Sequence, residues 1–236
     1  MRREPGRFGL AGFSIFNYST DQSVPKRPKM EKAVRRRAAP EMRQADILDA
    51  ALAEFSRHGF EGARMEDVAR AAKVSKGTVY LYYPTKQALF EALVGRDIAP
   101  RVELASTFLK GYDGPLEPAL MRMVEMAALA IEAGRLPVYP KLLIAEAQRF
   151  PELAAFYRRE VVQKMLGALT GLFQRALDRG EISGIEADMA AHLVIAPVLK
   201  SALWALVFAD SDEKPFPPLP YLQTHVRVFL KGLDHA

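Results

Sequence analysis

The chain has 236 residues, half of them hydrophobic, with 33 Lys and Arg against 28 Asp and Glu and no cysteine. That length allows an ordinary domain plus a small second one, and the lack of cysteine excludes disulfides, thiolate catalysis and Cys-based zinc sites. There is no run of eighteen uncharged apolar residues and no apolar leader with a small-residue cleavage site. The expectation is therefore a cytoplasmic protein with no membrane partner. The four histidines, His58, His192, His225 and His235, lack ligand spacing, so neither a metal nor another cofactor is expected.

Residues 1–40 differ in character from the rest. Ten basic residues, Arg35, Arg36 and Arg37 among them, face only Glu4, Asp21 and Glu31; this net of +7 leaves −2 for the remainder. Pro5, Pro25, Pro28 and Pro40 with Gly6, Gly9 and Gly12 argue against a packed element, so a disordered basic arm is expected to about Pro40, with Met30 an alternative start. Arg35, Arg36 and Arg37 lie just ahead of the first helix, where a basic arm can follow phosphates or reach the minor groove.

Glu41 to Arg57 reads as an amphipathic helix with Ile47, Leu48, Ala51, Leu52 and Phe55 on one stripe, ended by Gly59 and Gly62. Met65, Val68, Ala69 and Ala72 then recur at helical spacing, Val74 closes a turn, and Ser75 stands where a side-chain oxygen caps the next helix. That helix, Lys76 to Tyr82, turns Val79 and Tyr83 inward and leaves Lys76, Gly77, Thr78, Tyr80 and Tyr82 outside. Two short helices joined by a tight turn form a helix-turn-helix. Hydroxyls and an ammonium on the second can donate to phosphates, and the Thr78 methyl can meet a thymine methyl. Any small helical hairpin with tyrosines shares this much. Pro84 and Thr85 open a further helix through Leu89, Phe90, Leu93 and Val94, whose N-terminal amides beside Lys86 suit a phosphate. Its continuation past Gly95 toward Leu109, kinked at Pro100, would connect reader to sensor.

From Gly114 the composition turns apolar and helical. The periodicity predicts helices over Leu116–Ala133, Leu136–Phe150, Pro151–Arg179, Glu186–Phe208 and, after a proline-rich linker, Tyr221–Leu233. No strand pattern appears, so the fold class is all-α. The helix over 186–208 is apolar all round and, with that over 221–233, offers a second face to another copy of the chain. Met121, Met126, Tyr139, Phe156, Tyr157, Phe173 and Trp204 suit either a core or a pocket for an apolar effector, with Glu146, Gln148, Arg149 and His192 as polar groups to orient it. No nucleophile elbow, P-loop, strand-borne dinucleotide fingerprint or H-E-x-x-H pair occurs, so no enzyme is expected.

The fragments Ile47-Leu48-x-x-Ala51-x-x-x-Phe55, Gly59-Phe60, Val68-Ala69, Val74-Ser75-Lys76-Gly77-Thr78-Val79-Tyr80 and Tyr82-Tyr83-Pro84-x-Lys86 succeed one another within residues 43–94. Through them this stretch resembles the DNA-binding domain of the TetR (AcrR-like) family of bacterial transcriptional regulators; the rest resembles it only in helical layout. The resemblance implies an N-terminal three-helix helix-turn-helix domain over 41–95 and a helical effector-binding and dimerisation domain over 96–236. It places Arg64, Lys76, Gly77, Thr78, Tyr80 and Tyr82 on DNA and Lys86 on a phosphate. Ala63 stands where threonine usually caps a helix, Lys73 where glycine is common, and Tyr83 in place of phenylalanine. The function expected is a homodimeric repressor released from double-stranded operator DNA by a small apolar or amphipathic ligand. A constitutive or architectural DNA-binding protein without an effector, and a ligand-responsive activator, are the alternatives.

Overall fold

The computed structural model describes residues 29–134, 138–208 and 216–233, with side chains from Met42 onward. Among these residues every element is helical and no strand occurs, the all-α architecture that the periodicity predicts. The first helix, α1 (Lys29–Gly62), starts ahead of the expected Glu41. Met30 to Ala39 is rich in Glu, Lys, Ala and Arg, all good helix formers, and helix replaces the expected disorder over 29–40. Residues 1–28 lie outside the described residues. The chain divides into two units, Met1–Pro40 and Glu41–Ala236, and the second holds all the side-chain packing described below.

Gly59 interrupts α1 with φ 72° and ψ 177°, a left-handed region that only glycine enters without strain. α2 (Met65–Ala71) and α3 (Lys76–Tyr82) come next. α4 (Lys86–Asp97) and α5 (Ala99–Gly111) are two helices rather than one kinked rod. The chain breaks at Ile98, and Pro100 sits in the first turn of α5, where its missing N–H has no bond to lose. α6 (Leu116–Glu132) and α7 (Val138–Glu146) precede α8 (Pro151–Tyr157), which a turn of π-helix over Arg158–Val162 joins to α9 (Gln163–Asp178). That rod ends at Gly180, whose φ is 67°. α10 (Ala187–Val207) carries Pro197 inside it, and α11 (Pro218–Leu233) begins on the prolines rather than after them, since proline suits a helix's first turn.

Two apolar clusters fill the second unit. The first joins Ile47, Phe55, Phe60, Val79, Leu89, Phe90 and Leu93 to Tyr139, Leu142 and Leu153 of α7 and α8. A boundary after Gly95 therefore does not divide this core, because α1 and α4 present apolar faces that α7 and α8 close. The second takes Leu109, Leu120, Leu169, Phe173, Val194 and Val226 from α5, α6, α9, α10 and α11.

Tyr139 crosses between α7 and α4. Its hydroxyl donates to Asp97 Oδ2 at 2.8 Å and, more weakly, to the Leu93 carbonyl at 3.2 Å. Asp97 is only 3% exposed, and Arg96 donates to both of its oxygens, at 2.8 and 3.1 Å. Burial, then the bond to Asp97, pushes the phenol far above its ordinary range. Tyr139→Phe leaves a buried carboxylate short of a donor and is expected to lower the unfolding free energy by about 1–3 kcal/mol at unchanged helix content. A urea titration monitored by circular dichroism checks this.

Candidate nucleic-acid interface

α2 and α3 have seven residues each, too few to persist alone, so what they bury holds them. Met65, Val68 and Ala69 on α2 and Val79 on α3 are buried, and the turn closes with the Val74 N–H donating to the Ala69 carbonyl at 3.0 Å. Lys73 takes φ 56° there, a left-handed conformation that costs a non-glycine residue about 1–2 kcal/mol. Ser75 caps α3 as its position predicts. Its Oγ accepts the Thr78 N–H at 3.0 Å and lies 2.7 Å from Thr78 Oγ1, which leaves the Thr78 methyl to meet a partner. α2 begins at Arg64 without a side-chain cap, and Glu66 and Asp67 in its first turn place negative charge beside the unpaired amides.

Helical residues advance about 100° each, so Leu81 falls about 160° from the buried Val79 and Tyr82 only about 60°. Leu81 is accordingly 80% exposed and Tyr80 40%, while Tyr82 is half-buried against the core with its ring 6.4 Å from that of Tyr83. Leu81 is absent from the contacts read off the sequence, and its rotation from Val79 is the signal that identifies it. Lys76 Nζ bonds Glu66 Oε1 of α2 at 2.5 Å and stands 5.6 Å from the Tyr80 ring centroid. The hydrogen bond between them raises the Lys76 ammonium and lowers the Glu66 carboxyl from their usual ranges. Arg64 and Gly77 are exposed at the same end. The face therefore mixes a compensated ion pair, a phenol and apolar surface, which suits groove edges better than a purely cationic patch does.

Lys86 sits differently from a free phosphate clamp. Thr85 caps α4 by accepting the Ala88 N–H at 3.0 Å, and Lys86 Nζ donates to the carbonyls of Phe60 and Glu61 at 2.7 Å each, 5.1 Å from the Phe60 ring centroid. Two of its three protons thus satisfy carbonyls that the end of α1 leaves unpaired, and burial lowers its pKa. From α7, Glu146 Oε1 accepts the Glu61 N–H at 3.2 Å, and Arg149, just beyond that helix, pairs with the Glu61 carboxylate. Glu146 and Arg149, read from the sequence as groups to orient a ligand, instead grip the end of α1. The side chains of Arg35, Arg36 and Arg37 lie outside the described residues.

Residues 47–93 match the family model of the bacterial regulatory proteins of the tetR family, and residues 113–210 that of the tetracycline-repressor-like C-terminal domain. The chain is 42% identical over 182 residues to the HTH-type transcriptional regulator RutR of Escherichia coli K12, spanning 76% of each. It is 28% identical over 173 residues to the HTH-type transcriptional repressor SCO4008 of Streptomyces coelicolor, spanning 70% of this chain and 84% of that one. The chain belongs to the TetR family. It is a helix-turn-helix transcriptional regulator, and the proteins it matches are regulators rather than enzymes. In fold it resembles the crystal structure of the transcriptional regulator FadR from Bacillus subtilis in complex with stearoyl-CoA. The TM-score is 0.67 at 17% identity, over 80% of this chain and 98% of that one.

The C-terminal half of this TetR-family regulator spreads the seven candidate pocket residues over several layers. Tyr139 is sealed in the first cluster by Asp97. Phe156 and Tyr157 pack on the edge of that cluster, where burial pushes the Tyr157 phenol up to about 12. Phe173 is buried in the second cluster, edge-on to Phe229 at 6.0 Å, with Met121 on its border. Met126 is partly exposed, and Trp204 lies near the end of α10 beside Phe208 and Phe216. α10 is long and apolar enough to cross a bilayer, yet one side of it packs on α6, α9 and α11. Met189, Leu193, Leu199 and Val207 on α10 and Val228 on α11 stay exposed, so these two helices keep the uncovered apolar face read from the sequence. Because Lys86 ties α4 to the end of α1, Lys86→Met is expected to lower the unfolding free energy of the DNA-free protein by about 1–2 kcal/mol. Unchanged stability in a thermal melt would return Lys86 to the solvated surface.

Proposed function

We propose that the chain is a homodimeric repressor that grips double-stranded operator DNA through α3 and lets go when a small apolar or amphipathic effector occupies its C-terminal half. The observation that carries this reading is the rotation of α3. Val79 anchors it, Tyr80 and Leu81 are exposed and Thr78 is half-exposed, beside the Lys76–Glu66 pair. In a major groove the Thr78 methyl and Leu81 would meet thymine methyls, Tyr80 and Lys76 would bond base edges or phosphates, and Gly77 would let the backbone approach. Arg64 and Tyr82 flank this reading edge, Lys86 has one proton left for a phosphate, and Arg35, Arg36 and Arg37 add affinity through counterion release. Two copies joined through α10 and α11 would hold their reading helices about 34–36 Å apart, one turn of DNA.

Met165 borders both apolar clusters, and the π-helix turn over Arg158–Val162 comes just ahead of it in the chain; such turns recur at functional sites. We place the effector there, with Phe156 and Tyr157 beside it. That a regulator of like fold was crystallised with stearoyl-CoA supports an amphipathic ligand. A ligand preferring a form with α7 displaced would draw Tyr139 and Glu146 off α4 and α1, and the release it can cause is limited by that preference.

Once an operator has been selected from genomic fragments, Thr78→Ala, Tyr80→Ala and Leu81→Ala are each expected to weaken binding by about 1–3 kcal/mol with the fold and dimer intact. Equal gel-shift affinity in all three would remove α3 from the groove. Leu193→Glu is expected to give a monomer in sedimentation and to lower operator affinity at least about tenfold, since the second head then gains nothing from being tethered. A variant that stayed dimeric would exclude α10 from the interface.

A further inference from the structure

We propose that the aromatic cage near the end of α10 is a binding site for a quaternary ammonium group, a place that the chain's own Lys200 fills here. Lys200 Nζ stands 3.5 Å from the ring centroid of Phe216, 4.4 Å from that of Trp204 and 4.5 Å from that of Tyr221. The rings support one another: the Trp204 and Phe216 centroids lie 5.6 Å apart, and Phe216 meets Tyr221 edge-on at 5.0 Å. Several ring faces around one nitrogen recognise organic cations, because each face carries the negative part of the ring quadrupole.

The resident cation suits this cage poorly. A primary ammonium is compact, strongly hydrated and carries three N–H donors. Ring faces offer those donors no lone pair, and among the described residues no carboxylate pairs with Lys200. A quaternary ammonium has no N–H to satisfy, gives up less hydration, and turns methyl groups toward the same faces. Lys200 is half-exposed on a flexible four-carbon stem, so it can withdraw into solvent and act as a plug that sets the threshold for the incoming cation. None of these residues lies on the reading helix, and the assignment does not depend on how α3 meets DNA.

Trp204 is the chain's only tryptophan, so its emission reports the cage in the intact protein. Titration with tetramethylammonium chloride at constant ionic strength is expected to change that emission saturably. Lys200→Ala, which vacates the cage, should tighten binding about tenfold, and Phe216→Leu should abolish saturation, each at wild-type helix content. Choline should act likewise, whereas its neutral isostere, with carbon in place of the charged nitrogen, should not. The proposal is overturned by an absence of saturation below about 100 mM in both the wild type and Lys200→Ala, by an equal response to the neutral isostere, or by undiminished affinity in Phe216→Leu.

Discussion

A carboxylate buried at the C-terminal end of a helix is the constraint on which the joint between the two halves of this protein depends. Asp97 closes α4 at 3% exposure, where the helix's own carbonyl dipoles are already negative and water is largely gone. Arg96 supplies the countercharge and the Tyr139 phenol supplies a donor from α7. Removing Tyr139 costs the carboxylate one donor even with Arg96 in place, so α7 cannot leave α4 freely. Any motion of α7 away from α4 costs that carboxylate its phenol donor.

The same logic governs the end of α1. Just past the turn at Gly59 the carbonyls of Phe60 and Glu61 and the amide of Glu61 are met by charged side chains from two directions. Lys86 donates to the carbonyls from α4, and Glu146 accepts the amide from α7. A Cβ on residue 59 would lie 2.9 Å from Glu146 Oε1, so the glycine serves both the backbone angle and the approach of the carboxylate. The short helices of the reader are held to a surface fixed at two points, Asp97 and Glu61, and both fixings come in part from the C-terminal half. The function proposed above would thus have a material path from the C-terminal half to α3, made of side chains with definite partners.

Local features are legible in the amino-acid order because they are decided within a few residues. Ser75 caps α3 through an amide three positions on, Lys73 takes its left-handed φ inside the turn it forms, and the uncovered face of α10 arises from an apolar composition that one buried side cannot absorb. The start of α1 departs from expectation because its prolines and net charge point to disorder while the helix-forming residues between them prevail. Leu81 needs no more than Val79 and the helical repeat to be found.

Periodicity and hydrogen bonds between near neighbours are enough to set the all-α class, the helix-turn-helix, the extent of α3 and its inward anchor, so these stand in the order of residues alone. Which charges are used in packing is settled only in the folded chain. Lys86 reaches a carbonyl 26 residues away, Tyr139 a carboxylate 42 away and Glu146 an amide 85 away. The sequence shows that these groups can bond but not with what. It likewise puts Trp204 four residues from Lys200 on one helix, while Phe216 arrives from within the proline-rich linker and Tyr221 from beyond it. A side chain's partner is set by which helix faces are pressed together, and that depends on burying the whole apolar surface at once rather than on any single stretch of chain.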